Sequence, residues 1–215
     1  MGLGERLERA LAGWRAFRRD RLPGALGAFH RERGVERLWE ALPVRSDSLV
    51  LDAGGYRGDW TAEALVRFGC RSLIYEAVPQ FAEELRRRFA GNQRVQIVSG
   101  ALGGKSGELE LFVQADGSSA FVQRGAGVRV PLFDVAEALR EDVACVKLNI
   151  EGGEFDLLER ILDAGLAARV GSFVIQFHEI DPQSAARRER IRAGLARTHR
   201  LVVDYPFVWE RWDRL

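Results

Sequence analysis

The sequence predicts an α/β fold: a mostly parallel central sheet with helices on both faces and a β-hairpin insertion before the fourth strand. Three observations carry this. Short apolar runs that read as fully buried strands alternate with amphipathic helical stretches. Polar residues gather where those runs end, which is where ligands bind in open α/β sheets. The alternation is interrupted once, between residues 107 and 132, by short segments with turn residues between them. At 215 residues, 47% of them hydrophobic, the chain suits one such domain with an appended N-terminal element.

The N-terminal element is read as a helical extension over residues 1–45, ahead of a domain spanning 46–215. Leu3, Leu7, Leu11, Trp14 and Phe17 fall at helical spacing. Pro23 and Gly24 punctuate, a second helical stretch runs from Ala25 to Leu42, and Pro43 ends it. The basic cluster Arg15, Arg18, Arg19 and Arg21 reads first as a solvated helix face and second as a contact for lipid phosphates or a polyanion.

From Ser48 the pattern changes. SLVLDAGG is a buried strand breaking into glycines, followed by the helix WTAEALVRFG. RSLIYEAVP is the second strand, PQFAEELRRRFAG its helix with Gly91 beyond the end, and RVQIVSGAL the third strand. GELELFVQADGSSAFVQRGAGVRVPL is the hairpin excursion, and FDVAEALRED restores a helix with Asp134 as N-cap. VACVKLNI, the helix EFDLLERILDAGL and GSFVIQFHEI supply the fourth and fifth strands with their crossover. The helix PQSAARRERIRAGLARTH and a terminal antiparallel pair turning at Pro206 complete the chain.

Composition narrows the function. A formal net charge of +1 provides no global field to recruit nucleic acid, and no nucleic-acid partner is expected. Cys70 and Cys145, both in apolar surroundings, read as reduced and structural. Acids among the bases and no long apolar run in MGLGERLERALAGW argue against a signal peptide, and no uncharged run is long enough to span a membrane. The expectation is a soluble, cytoplasmic protein. No metal-ligand cluster is visible in the sequence, though Glu and Asp side chains gathered by folding can bind Mg²⁺ unseen.

Five strand ends deliver polar groups to one sheet edge: Asp52 with its glycine loop; Glu76; Ser99, Gly100 and Ala101; Lys147, Asn149 and Glu151; His178 and Glu179. The loop reads D-x-G-x-x-x-G (Asp52, Gly54, Gly58, with Gly55 extra), not the G-x-G-x-x-G of nicotinamide and flavin enzymes. Gly54, lacking a Cβ, lets the backbone turn and approach a ligand. Asp52 places a carboxylate where the cationic amino-acid end of an adenosine-type cofactor can lie. Glu76 suits a pair of ribose hydroxyls, since a carboxylate accepts from both. GGKSG at 103–107 imitates a phosphate-binding loop. It lacks the required glycine at position 99, where serine stands, and it precedes a strand, so it reads as a turn.

Together these residues resemble the FkbM family of S-adenosylmethionine-dependent methyltransferases. The family's D-V-G-A-N-x-G-x-x-T is similar to DAGGYRGDWT (52–61), its F-E-P to YEAVP, its A-L-G-x-x-x-G to ALGGKSG, and its K-x-D-x-E-G-x-E to KLNIEGGE (147–154), with FHE after the fifth strand. The resemblance covers roughly Ser48 to Ile180. It implies a Rossmann-like class I methyltransferase fold and S-adenosyl-L-methionine as cofactor. The residues implied to bind it are Asp52, Gly54, Gly55, Tyr56, Gly58, Glu76, Ala77, Ser99, Gly100 and Ala101. The implied activity is O-methylation of a hydroxyl on a glycan or natural product. Asn149 stands where the family has aspartate; an amide hydrogen-bonds but takes no proton near neutral pH, so it reads as a positioning group.

A hydroxyl nucleophile benefits from a general base. His178 suits that role, with Glu151 and Glu179 competing, and Lys147 is placed to stabilise a developing alkoxide or hold a carboxylate. Each has a structural alternative: a hydrogen-bonded core histidine, helix-start acids at Glu151 and Glu154, and a paired lysine. Asp116, Ser118 and Ser119 are candidates for an acceptor lid. His30 and His199 read as surface residues on helical stretches, and Tyr205, Trp209 and Trp212 as packing. The N-terminal helices are a candidate homodimer surface. The competing reading is a non-catalytic module that keeps the fold, with Asn149 marking a degenerate site; a nicotinamide-dependent oxidoreductase is a distant third.

Overall fold

The computed structural model describes residues 24–114, 117–119 and 127–215. The helix expected over residues 3–20, its arginine cluster and its part of the candidate dimer surface lie outside the described residues, as does Asp116; Ser118 and Ser119 are described as backbone only.

In chain order the elements begin with two short helices, α1 (Gly24–Arg31) and α2 (Gly34–Trp39), then β1 (Leu49–Ala53), α3 (Asp59–Phe68), β2 (Arg71–Glu76), α4 (Pro79–Arg88) and β3 (Val95–Ser99). The excursion follows as β4 (Ala101–Gly103), β5 (Gly107–Gln114), β6 (Gly117–Ser119) and β7 (Gly127–Asp134). The chain then returns through α5 (Val135–Ala138), β8 (Val143–Leu148), α6 (Glu154–Asp163), β9 (Val170–Ile175), α7 (Ser184–Leu195), β10 (His199–Tyr205) and β11 (Trp209–Arg214).

The main sheet has the order β10-β11-β9-β8-β1-β2-β3. Its β3, β2, β1, β8 and β9 run parallel, and β11 and β10 close one edge antiparallel. Strand order reverses at β1, which has β2 on one side and β8 on the other, so the ends of β1 and β8 flank the topological switch point. Alternation along each strand sorts the core. Leu51, Val146, Leu148 and Phe173 face α6 and α7, whereas Val50, Cys145 and Val174 face the N-terminal helices and α3. Cys70 and Cys145 are buried free thiols, and burial pushes the thiol pKa of each up.

Several elements depart from the sequence reading. The single helix expected from Ala25 to Leu42 is two, because Arg33 turns left-handed (φ 55°) and Gly34 accommodates the Phe29 ring; a Cβ there would lie 2.0 Å from it. The expected third strand is split at Gly100 into β3 and β4, which belong to different sheets. Gly100 donates its N–H to the Glu76 carbonyl at 2.8 Å, and a side chain there would meet Pro131 and Phe133. The excursion is more than a hairpin: β4, β7, β5 and β6 form a second four-stranded sheet in that order. The fifth strand stops at Ile175, so His178 and Glu179 lie on the loop beyond it. His199 is not a helical surface residue. It opens β10, is buried, donates from Nε2 to the Val170 carbonyl at 3.0 Å, and its burial lowers the imidazole pKa. His30 is partly exposed on α1. Tyr205 and Trp212 are buried packing residues, as expected, and Trp209 is partly buried at the start of β11.

The described part of the N-terminal extension shares a core with the sheet through Phe29, Leu38, Trp39 and Leu42. Arg211 holds the junction. Although 1% exposed, it donates to both oxygens of Asp213, at 2.9 and 2.6 Å, and to the carbonyls of Leu38, Glu40 and Ala41 at the end of α2. Those are the carbonyls a helix end leaves without intrahelical partners. Arg211→Met therefore strands a buried carboxylate and several carbonyls, and is expected to lower unfolding free energy by about 3–5 kcal/mol in urea titration.

Candidate functional site

The parallel register places Asp52 of β1 directly beside Lys147 of β8, and alternation points both to the face covered by α3. They form a buried ion pair, Nζ to Oδ1 at 2.8 Å, and Asp52 Oδ2 accepts from the Thr61 hydroxyl at 2.8 Å. Lys147 donates a second bond, at 2.7 Å, to the Gly54 carbonyl, tying the pair to the glycine loop. Both residues therefore sit beneath the loop rather than in the cavity above it. Their observed partners are one another, the Thr61 hydroxyl and the Gly54 carbonyl, and neither of the two lines the cavity toward which a cofactor's amino-acid end and an alkoxide were expected.

Gly54 adopts φ 80°, and a Cβ there would lie 2.0 Å from the Asn149 carbonyl oxygen. The backbones leaving β1 and β8 thus touch, with Asn149 N–H bonded to the Ala53 carbonyl at 3.1 Å. Gly55 and Gly58 face inward, toward Ile74 and Leu85, where any Cβ would clash; they shape the loop without lining the cavity. Ser99 also lies off the cavity, its strand register pairing it with Glu76.

The cavity measures about 680 Å³ and opens over the switch point, within the size of ordinary ligand pockets. Of the predicted site residues, Gly54, Tyr56, Glu76, Ala77, Gly100, Ala101, Asn149 and Glu151 line it. Glu76, 5% exposed, accepts the N–H of Tyr56 on Oε2 at 2.7 Å and that of Val78 on Oε1 at 2.8 Å. Burial raises its pKa, opposed by these two bonds and by the charge of Lys147. Each oxygen retains a second acceptor site for a ligand hydroxyl. Tyr56 takes a left-handed backbone (φ 48°) and sets its half-exposed ring edge-on to Phe81 at 4.6 Å.

The insertion sheet supplies an apolar wall of Leu102, Leu109, Leu111 and Leu132, and α6 a charged one that includes Arg160, which is held by Asp134 at 3.0 Å. Sequence reading missed these residues. An apolar residue on a short strand carries no mark distinguishing a cavity wall from core. Lys105, in the GGKSG segment, also lines the cavity; the segment is a turn, as expected.

After β8, Glu154 organises the two outer loops. It is fully buried at the start of α6 and accepts three bonds: from Gly152 N–H at 2.8 Å, His178 N–H at 2.7 Å and His178 Nδ1 at 3.2 Å. His178 Nε2 then lies 3.5 Å from Glu151 Oε2. Glu151, itself left-handed (φ 51°), lines the cavity, and His178 stands behind it; Glu179 is exposed and is not among the residues lining this cavity. Burial pulls the His178 pKa down, but its bond to Glu154 and the charges of Glu154 and Glu151 outweigh that, leaving it above the ordinary value. Asn149 Oδ1 is buried with no hydrogen-bond partner among the described residues, an arrangement that costs about 1–3 kcal/mol. No group of three or more His, Cys, Asp or Glu side chains among the described residues is placed to hold a metal ion. None of the described helices is long and apolar enough to cross a membrane.

No family model and no curated protein matches the chain by sequence. Its structure is similar to that of methyltransferase FkbM from Methylobacillus flagellatus KT, with a TM-score of 0.57 and 13% identity over 96% of this chain; the chain spans 60% of that protein's length. It is also similar to a protein from Clostridium thermocellum assigned as an rRNA methylase, with a TM-score of 0.55 and 9% identity, covering 90% of this chain and 97% of the other. The fold is the Rossmann-like methyltransferase fold.

Two outcomes follow from this geometry. Lys147→Met leaves the Asp52 carboxylate buried and uncompensated, and is expected to cost about 3–5 kcal/mol in urea unfolding; the double replacement Asp52→Leu/Lys147→Met recovers most of that, since an apolar pair removes both charges. His178 has a raised folded pKa, so its ionic contacts stabilise the protein fully below the ordinary histidine pKa of about 6.5 and fade as pH rises through the folded value. The imidazole NMR titration is expected to have its midpoint above about 6.5, and Glu154→Gln to lower it.

Proposed function

We propose that the chain is an S-adenosylmethionine-dependent O-methyltransferase, similar to the FkbM type, acting in the cytoplasm on a hydroxyl of a glycan or natural product. The observation that carries this is the Glu76 cradle. A buried carboxylate at the end of β2, oriented by the Tyr56 and Val78 amides and keeping an acceptor site on each oxygen, faces a cavity whose other edge is the close-approach glycine Gly54. That donor and acceptor set fits an adenosine: a ribose diol for Glu76, and the apolar surfaces of Ala77, Val78, Ala101 and Leu102 for a base. When bound, S-adenosylmethionine supplies an activated methyl group; the protein supplies orientation and proton handling.

One fold supports many acceptors, and the residues around the cavity supply the chemistry that a hydroxyl acceptor needs. Glu151 takes the hydroxyl proton on its carboxylate, as the base that lines the cavity. His178 acts behind it: Glu154 holds Nδ1, which turns Nε2 toward Glu151 and sets the orientation of that carboxylate. His178 is in this reading a positioning residue, and Lys147 supports the loop.

Calorimetric titration tests the reading. Saturable micromolar binding of S-adenosylmethionine and none of NAD is expected. Glu76→Ala, shown to remain folded by its thermal transition, should weaken binding at least about 100-fold, the worth of two hydrogen bonds to a charged group. Affinity should also fall on acidification at a pH above the ordinary glutamate pKa, as the raised Glu76 protonates. Failure of the unaltered chain to bind would favour the non-catalytic module.

A further inference from the structure

The cofactor reading uses the part of the cavity around Gly54 and Glu76 and leaves the part along α6 without an occupant. Asp156, Glu159, Arg160 and Asp163 all line the cavity. Their spacing puts them on one face of α6, which carries the cavity about 10 Å along the helix, away from Glu151. The facing wall is the β4–β5 turn together with Leu132 of β7, and two glycines set it there. A Cβ on Gly104 would lie 2.7 Å from the Asp156 carbonyl oxygen, so the turn is pressed against α6. A Cβ on Gly103 would lie 2.9 Å from the Leu132 side chain, so that glycine leaves the leucine its place. Leu132 is partly buried, lines the cavity, and packs in none of the buried apolar clusters among the described residues. Strand alternation separates it from Phe133, whose ring meets Tyr75 at 5.8 Å in the main core. An apolar side chain that faces a cavity and supports no core is available to a ligand.

The charges of this region have protein partners. Arg187 of α7 holds Asp156 at 2.5 Å and Glu159 at 2.6 Å, and Asp134 holds Arg160. The balance is nevertheless acidic: Glu76, Glu151, Asp156, Glu159 and Asp163 line the cavity against Lys105 and Arg160. Counting the outside partners leaves the surplus unchanged, since Arg187 adds one cation and Asp134 one carboxylate. An anionic group entering here gives up its hydration beside leucine and meets charge of its own sign.

We propose that the part of the cavity between α6 and Leu132 is the acceptor's subsite, and that it takes a hydroxyl compound with an extended apolar body that is uncharged or bears an amine. This rests on the cofactor reading above and narrows its acceptor class: the hydroxyl lies at Glu151, and the apolar body runs along α6 against Leu132. Acceptors that carry phosphate or carboxylate, nucleotide-linked sugars among them, are disfavoured by the acidic surplus. Free sugars are disfavoured because they have no apolar length to bury.

Three hydroxyl probes test this by calorimetric titration into the chain saturated with S-adenosylhomocysteine, so that only space beyond the cofactor is read. Decanediol is uncharged, ω-hydroxydecanoate has the same chain with a carboxylate at one end, and glucose has no apolar chain. Decanediol is expected to bind saturably, ω-hydroxydecanoate at least about tenfold more weakly, and glucose more weakly still. Leu132→Asp, shown to remain folded by its thermal transition, should weaken decanediol binding at least about tenfold and leave S-adenosylhomocysteine affinity nearly unchanged. Lys105→Glu, at an exposed position, should weaken ω-hydroxydecanoate further and leave decanediol unchanged; if Leu132→Asp does not fold, this variant and the order of the probes still decide. No binding of decanediol, or binding no tighter than that of glucose or ω-hydroxydecanoate, overturns the inference and leaves the cofactor reading standing. So does equal loss of decanediol and S-adenosylhomocysteine in Leu132→Asp, which assigns the leucine to the cofactor. If the unaltered chain does not bind S-adenosylhomocysteine, the cofactor reading itself falls and this inference with it, a result distinguishable from the others because it appears before any probe or substitution is used.

Discussion

The Asp52–Lys147 ion pair is the constraint from which the rest of the site is built. Two opposite charges on neighbouring parallel strands, in register and on one face, leave water only because each finds the other. Such a pair stabilises little beyond what a well-packed apolar pair does; its consequence is positional. Because Lys147 also bonds the Gly54 carbonyl, the height of the glycine loop is set by the strand beneath it. Gly54 then lies against the Asn149 carbonyl, so the same pair sets the distance between the two strand ends at the switch point.

Around this centre the fold uses buried polar side chains as joints. Glu76 ties the loop after β1 to the start of α4 by accepting from Tyr56 and Val78. Glu154 ties the loop after β8 to the loop after β9. Arg211 ties the end of α2 to β11, and Arg188 reaches from α7 to Glu210 on the same strand. Each is nearly inaccessible to solvent and each is satisfied, which makes a partly paired arrangement costly and a single arrangement favoured. The insertion sheet contributes differently: it presents leucines to the cavity and places a wall beside the parallel strand ends.

The electrostatics of the cavity follow from which groups are tied and which face a ligand. The buried charges are held by protein partners, while Glu151 lies at the cavity edge and is contacted from behind by His178. Asn149 stands among carboxylates without adding to their charge. Its oxygen is a buried acceptor without a hydrogen-bond partner among the described residues, and such local inconsistencies concentrate at functional sites.

Much of this was legible in the chain. Apolar runs of strand length and helical periodicities set the order of α and β elements, because burial on both sheet faces needs continuous apolar runs and a covering helix needs an apolar stripe. The residues at strand ends were legible too, since chain direction alone places them at one edge. Side-chain direction was not. Whether Asp52 and Lys147 entered the cavity or paired beneath it depended on the register of two strands about 95 residues apart. His178 was set behind Glu151 by Glu154, a helix-start acid whose contacts lie on another strand's loop, and His199 became a buried strand residue through the carbonyl of Val170. Gly100 split one apolar run between two sheets, at a position where a Cβ would meet the Phe133 ring and the Pro131 carbonyl oxygen. The sequence by itself determined the succession of elements and the chemistry available at the sheet edge. Only the tertiary structure decided which groups pair and which face the cavity, because pairing depends on contacts between residues far apart in the chain, which local periodicity does not encode.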